Sequence, residues 1–122
     1  MCGIYGTFSF DNSLVEDSML VEMSNQLKHR GPDAQGFYSD GFSAIGNCRL
    51  SIIDLSESSN QPIFSDNQEI CVVQNGEIYN YLELREDLKA RGHKFLTAGD
   101  TEVILRAYEE WGEDFVKKLN GM

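Results

Sequence analysis

Basic residues are scarce in this sequence: ten Lys and Arg stand against twenty Asp and Glu, a formal net charge of −10. Nucleic acids and anionic membrane surfaces are gripped by basic patches, so neither is an expected partner. No apolar run approaches the ~18 residues that a membrane span requires. No basic segment leads into an apolar stretch as in a signal peptide, and the expected location is the cytoplasm. Cysteines number three, at Cys2, Cys48 and Cys71. An odd count without a Cys-x-x-Cys pair suggests neither a disulfide framework nor a zinc site. The two histidines, His29 and His93, lie in unrelated contexts and make no metal site. A Gly-rich phosphate loop, internal repeats and low-complexity segments are all missing.

What remains is an ordinary globular composition. The 122 residues are 41% hydrophobic, enough for one small domain with its own core. Residues 3–10 read as a strand rich in aromatic and β-forming residues. Asp11-Asn12-Ser13 offers a turn and helix-capping side chains, and Val15, Met19, Met23 and Leu27, thickened by Leu20, predict one apolar helix face. Gly31-Pro32 ends that helix. Asp40-Gly41 predicts a hairpin between residues 35–39 and 42–47, and residues 48–54 continue as strand. Residues 55–62 are a Ser-rich loop, and residues 70–74 a buried strand. A second helix is predicted near Asn80, with Tyr81, Leu84 and Leu88 inward. A third starts near Asp100-Thr101 with Ile104, Ala107, Tyr108 and Trp111 on its face, and one or two further turns carry Phe115, Val116 and Leu119. The acidic cluster Glu109-Glu110 and Glu113-Asp114 reads as a solvated helix face. Hairpin-linked strands with segregated helices predict an α+β layered fold.

Four features carry chemistry. Removal of Met1 would leave Cys2 with a free α-amino group, which titrates near ~8 and can take the thiol proton directly or through one water. Nucleophile and base then belong to one residue, although many proteins begin Met-Cys by chance. Asn75-Gly76-Glu77 follows an apolar strand. An Asn side-chain amide and a Gly N–H are suitable donors for an oxyanion, while Asn-Gly is also the commonest tight-turn pair. Arg49, in a strand-like run, can hold a carboxylate bidentately or face outward from an edge strand. Asp100, at a helix start, can cap the helix or hold a substrate ammonium. Cys48 and Cys71, in apolar runs, read as small buried hydrophobes. Each feature alone is ordinary. Together they make a complete glutamine site.

The segments Met-Cys-Gly-Ile at 1–4, His-Arg-Gly-Pro-Asp at 29–33 and Arg-Leu-Ser-Ile-Ile-Asp-Leu at 49–55 stand in that order. Gln-Pro at 61–62, Asn-Gly-Glu-Ile-Tyr-Asn-Tyr at 75–81, Asp-Thr-Glu-Val at 100–103 and Leu-Asn-Gly-Met at 119–122 follow them. With these motifs along its whole length, the chain resembles class II glutamine amidotransferase domains, and most closely those of glutamine-hydrolysing asparagine synthetases. The resemblance implies an N-terminal-nucleophile hydrolase fold, a four-layer α-β-β-α sandwich, of which residues 1–122 would be the N-terminal part, incomplete at the C-terminus.

It also implies roles. Cys2 would attack the glutamine side-chain amide and form a thioester, with Asn75 and Gly76 as the oxyanion hole. Arg49 would bind the substrate carboxylate, Glu77 and Asp100 its α-ammonium, and the backbone of Leu50, Ser51, Ile52 and Ile53 would line the pocket. L-Glutamine is the implied partner, with an ATP-dependent synthetase domain in cis that this chain lacks. No cofactor is implied within the chain, since ATP and magnesium belong to that synthetase domain, and a homodimer is left open. One departure is Asn47-Cys48, where many relatives carry His and a basic residue. Two other readings stand beside this one: an amidotransferase serving another acceptor such as a sugar, and an inactive truncated interaction module.

Overall fold

The computed structural model describes residues 2–122, so the expected removal of Met1 lies outside the described residues. It is an α+β structure with small antiparallel sheets and three α-helices among the described residues. The chain divides into two compact units. The first holds the residues up to 51 with 60–62 and 73–75, and the second holds 52–59, 63–72 and 76–122.

The first unit is built on a three-stranded antiparallel sheet. Strands β1 (Gly3–Phe8) and β2 (Ala34–Ser39) flank the central β3 (Ser43–Arg49). Gly3 is paired with Cys48, and Ala34 with Arg49. The predicted β2–β3 hairpin is present. Asp40 closes it by accepting the amides of Phe42 at 2.9 Å and Ser43 at 2.7 Å, and Gly41 takes φ +94°. Helix α1 (Asp17–Leu27) packs on β3 and β1. It starts later than the sequence suggests. Asp11 instead accepts the Ser13 amide and the Ser9 hydroxyl, both at 3.0 Å, in a local turn with Asn12 at φ +60°. The buried face is centred on Leu20 rather than on the Met19–Met23–Leu27 row. Leu20 and Ser24 are buried, Met23 and Leu27 are half-buried, and Met19 is exposed. Cys48 is fully buried beside Ser24, as a small core residue would be.

Strand β3 stops at Arg49 rather than reaching residue 54. The reason lies in its partners. Asp33 donates its amide to the Arg49 carbonyl at 3.0 Å and accepts the Ser51 amide on its carboxylate at 2.8 Å, so a side chain replaces the ladder. Gly31 packs so closely on the Cys48–Arg49 backbone that no Cβ fits there.

The second unit has its core where helices α2 (Tyr81–Ala90) and α3 (Thr101–Trp111) meet. Ile78, Leu84, Leu88, Val103 and Ala107 are its buried centre, with Tyr81, Ile104, Trp111, Phe115 and Leu119 packed against them. The last three lie where the periodicity predicts, whereas Val116 is exposed, because residues Gly112–Lys118 form a 3-10 helix after Gly112 turns the chain at φ +56°. The predicted strand at 70–74 shrinks to β5 (Cys71–Val72), paired with β4 (Ile63–Phe64), which the sequence pattern does not reveal. Residues 120–122 lie antiparallel to 77–79, with Met122 and Glu77 exchanging amide bonds at 2.9 and 3.0 Å. The acidic cluster is not simply solvated. Glu109 holds Arg106 at 3.0 Å and Glu110 holds His93 at 2.9 Å, while Glu113 and Asp114 stay exposed. Among the described residues, no helix is long and apolar enough to cross a membrane.

Candidate active site

In the first unit, Cys2 lies one residue before β1 and is half-buried. Its sulfur accepts the Leu50 amide at 3.3 Å and lies 3.7 Å from the Leu50 carbonyl oxygen. Beyond the Gly3–Cys48 pair, the thiol therefore takes the place of the next ladder partner. Arg30 donates its Nε to the Cys2 carbonyl at 3.1 Å, anchoring the backbone on the other side. The sulfur is thus set by the geometry of the sheet end, and a nucleophile needs that kind of positional restraint.

Arg49 sits on the central strand, not on an edge, and is buried at 7% exposure. One guanidinium nitrogen donates to the Asn60 side-chain oxygen at 2.8 Å. Burial and this bond restrict where the planar guanidinium can lie. Leu50 and Ser51 follow it with half-buried side chains. Asn75 closes this unit, exposed, in a bend after the buried Gln74.

The second unit holds the other predicted residues. Gly76, half-buried, completes that bend, and Glu77 after it is exposed. Asp100 stands at the α3 start but makes no side-chain cap bond; its carboxylate accepts the Ile78 amide at 2.9 Å. Capping, the ordinary explanation for an Asp at this place, does not account for it. Ile52 and Ile53 lead into a loop with exposed side chains, which suits a role for their backbone alone.

Several residues that hold the segment ahead of Asp100 escape a reading of the sequence. The segment before Asp100 is held from three directions. Buried Arg85 donates to the carbonyls of Thr97 and Gly99. Glu102, at 1% exposure, accepts the amides of Leu96 at 3.0 Å and Thr97 at 2.7 Å. Asp54 accepts the Ala98 amide at 2.7 Å and the Ser59 hydroxyl at 2.6 Å. Charged residues on helices ordinarily face water, so composition alone hides Arg85 and Glu102.

Hydrogen bonds from the Ser56 hydroxyl, the Ser59 hydroxyl and the Ser56 amide hold the Asp54 carboxyl well below the usual carboxylate range. A depressed folded-state value contributes stability that is complete above the unfolded value, near ~4, and is lost as pH falls through the folded one. The expected result is that wild type and Asp54→Asn differ in Tm at neutral pH and converge in acid. Thermal melts across that range check it; a constant gap would remove Asp54 as the cause.

A family described as a glutamine amidotransferase domain matches residues 1–122. An asparagine synthetase [glutamine-hydrolyzing] of Brassica oleracea is 46% identical over 123 residues, covering 100% of this chain and 20% of that protein. A Bacillus subtilis (strain 168) asparagine synthetase [glutamine-hydrolyzing] 1 is 40% identical over 125 residues, with the same coverage. The Arabidopsis thaliana protein of that name is 45% identical over 123 residues, again with 20% of its length covered. The chain thus spans about a fifth of the length of these relatives. With the match spanning residues 1–122, the chain belongs to the glutamine amidotransferase domain family.

Proposed function

We propose that the chain hydrolyses the side-chain amide of L-glutamine to glutamate and ammonia, with Cys2 as nucleophile. The observation that carries this reading is the Cys2 sulfur held on the Leu50 amide at 3.3 Å, one residue beyond the buried Arg49. The thiol proton passes to the α-amine of Cys2 as the sulfur attacks the amide carbon. The carbonyl oxygen becomes an oxyanion, met by the Asn75 side-chain amide and the Gly76 N–H. Collapse breaks the C–N bond, the amine's proton goes to the leaving nitrogen, and ammonia departs. Water then attacks the thioester and regenerates the thiol, releasing glutamate. Arg49 holds the substrate carboxylate, and Glu77 and Asp100 its α-ammonium. The backbone from Leu50 to Ile53 lines the pocket.

The relatives are named as glutamine-hydrolysing asparagine synthetases. On that basis the ammonia serves ATP-dependent asparagine synthesis in a synthetase domain in cis, and the complete glutaminase domain is a four-layer α-β-β-α sandwich. Purified chain with Met1 removed, verified by intact mass, is expected to release glutamate and ammonia in equal amounts from glutamine. A soluble, processed chain that releases neither overturns the reading.

A further inference from the structure

We infer that Asn47 and Gln61 are positioning residues for the oxyanion donor Asn75; this rests on the glutaminase reading. The residue before Asn75 is Gln74, and its main chain is held from both sides by buried side-chain amides. The Gln74 N–H donates to Gln61 Oε1 at 2.6 Å, and the Gln74 carbonyl accepts from Asn47 Nδ2 at 3.1 Å. Exposure is 1% at Asn47, 8% at Gln61 and 9% at Gln74. Strand β5 ends at Val72, so these two amides do for Gln74 what a ladder does for a strand residue.

Both holders are fixed to the sheet that leads from Cys2. Asn47 lies on the central strand β3, paired with Ile4 of β1 and with Gly36 of β2. The Gln61 main chain packs on Gly36 so closely that no Cβ fits. One rigid frame therefore starts at the nucleophile and ends at the peptide bond before Asn75. The Asn47 Oδ1 atom strengthens the case. It is buried and accepts no hydrogen bond among the described residues. An orphan acceptor of that kind opposes folding, and an apolar side chain would avoid it. Stability alone does not account for an amide at this position, whereas its donor to Gln74 does.

An oxyanion donor acts on the transition state and not on the bound substrate. Its displacement by ~1 Å costs about 10²-fold in rate. Asn47→Ala and Gln61→Ala are therefore expected to lower kcat for glutamate release about 10²-fold with KM for glutamine little changed. Iodoacetamide alkylates Cys2 by displacing iodide at carbon, a reaction that builds no oxyanion, so its rate is expected to match wild type. Gln61→Glu keeps the acceptor for the Gln74 N–H and is expected to keep kcat. Retained kcat in both Ala variants overturns the positioning role and leaves the glutaminase reading standing. Alkylation that falls in step with kcat also overturns it, because the loss is then one of folding. Gln61→Glu as impaired as Gln61→Ala does the same. A wild-type chain without glutamate release overturns the glutaminase reading and the positioning role together.

Discussion

Replacing Cys2 by Ala is expected to reduce glutamate release to the uncatalysed background. Removing a nucleophile that acts as a unit with its base costs on the order of 10⁴–10⁶ in kcat, which puts the variant beneath detection. The fold should not change, because the sulfur's described bonds are two contacts with one neighbour, Leu50. Cys2→Ser is the sharper variant. It keeps an atom that can accept the Leu50 amide, but a hydroxyl is a far weaker nucleophile than a thiol at neutral pH, so activity should vanish while Tm is held. Glutamate assays and thermal melts on matched preparations check both variants. Release that persists in Cys2→Ala would mean that the nucleophile lies elsewhere. A second control is chemical: wild-type chain that retains Met1 should be inactive, because the α-amine then belongs to another residue.

Glu102→Ala carries the largest expected effect on stability. The Glu102 carboxylate is 1% exposed, accepts the amides of Leu96 and Thr97, and lies 3.3 Å from a guanidinium nitrogen of Arg106, itself 4% exposed. Truncation leaves two amides without this acceptor and removes one of the carboxylates that balance a buried cation. Breaking a buried pair in that way costs about 3–5 kcal/mol, a large part of the ~5–15 kcal/mol that holds a domain together. For a chain of this size the expected fall in Tm is ~15 °C. Glu102→Gln keeps the shape and one acceptor oxygen and should lose less. The functional consequence follows from place. Glu102 ties down the residues just ahead of Asp100, so a folded Glu102→Gln chain should bind glutamine more weakly, with KM rising more than kcat falls. A Glu102→Ala chain that melts with wild type would show that the carboxylate carries no structural weight.

How far the site can be read without the fold is clearest from particular residues. Arg49 and Asp100 each admit an ordinary explanation on the page of sequence. Burial on the central strand removes the first, and the bond to the Ile78 amide in place of a cap removes the second. The α2 face follows from its periodicity, because side chains every three or four residues share one side; on α3, Ala107 is buried as expected, but Tyr108 is exposed while Val103 and Leu105 are buried. The periodicity of α1 misplaces its start, since Asp11 and Ser13 satisfy each other before the helix begins. The strands that end early, at Arg49 and Val72, end because side chains of Asp33, Asn47 and Gln61 take over the main-chain bonds. Nothing in local propensity signals such a takeover.

The sequence by itself determined the chemical inventory: a Cys at position 2, an Asn-Gly pair after an apolar run, an Arg in a strand, an Asp at a helix start, and motifs in the order of one family. Those properties are local, set by residue type and by neighbours along the chain. Tertiary structure alone decided which group each residue meets. The contacts of the candidate residues join positions 48 apart for Cys2 and Leu50 and 27 apart for Asn47 and Gln74 in the first unit, and 22 apart for Asp100 and Ile78 in the second. A hydrogen bond over such separations exists only once distant segments have packed within their own unit. Burial then raises its worth, because the polar groups have no water to fall back on.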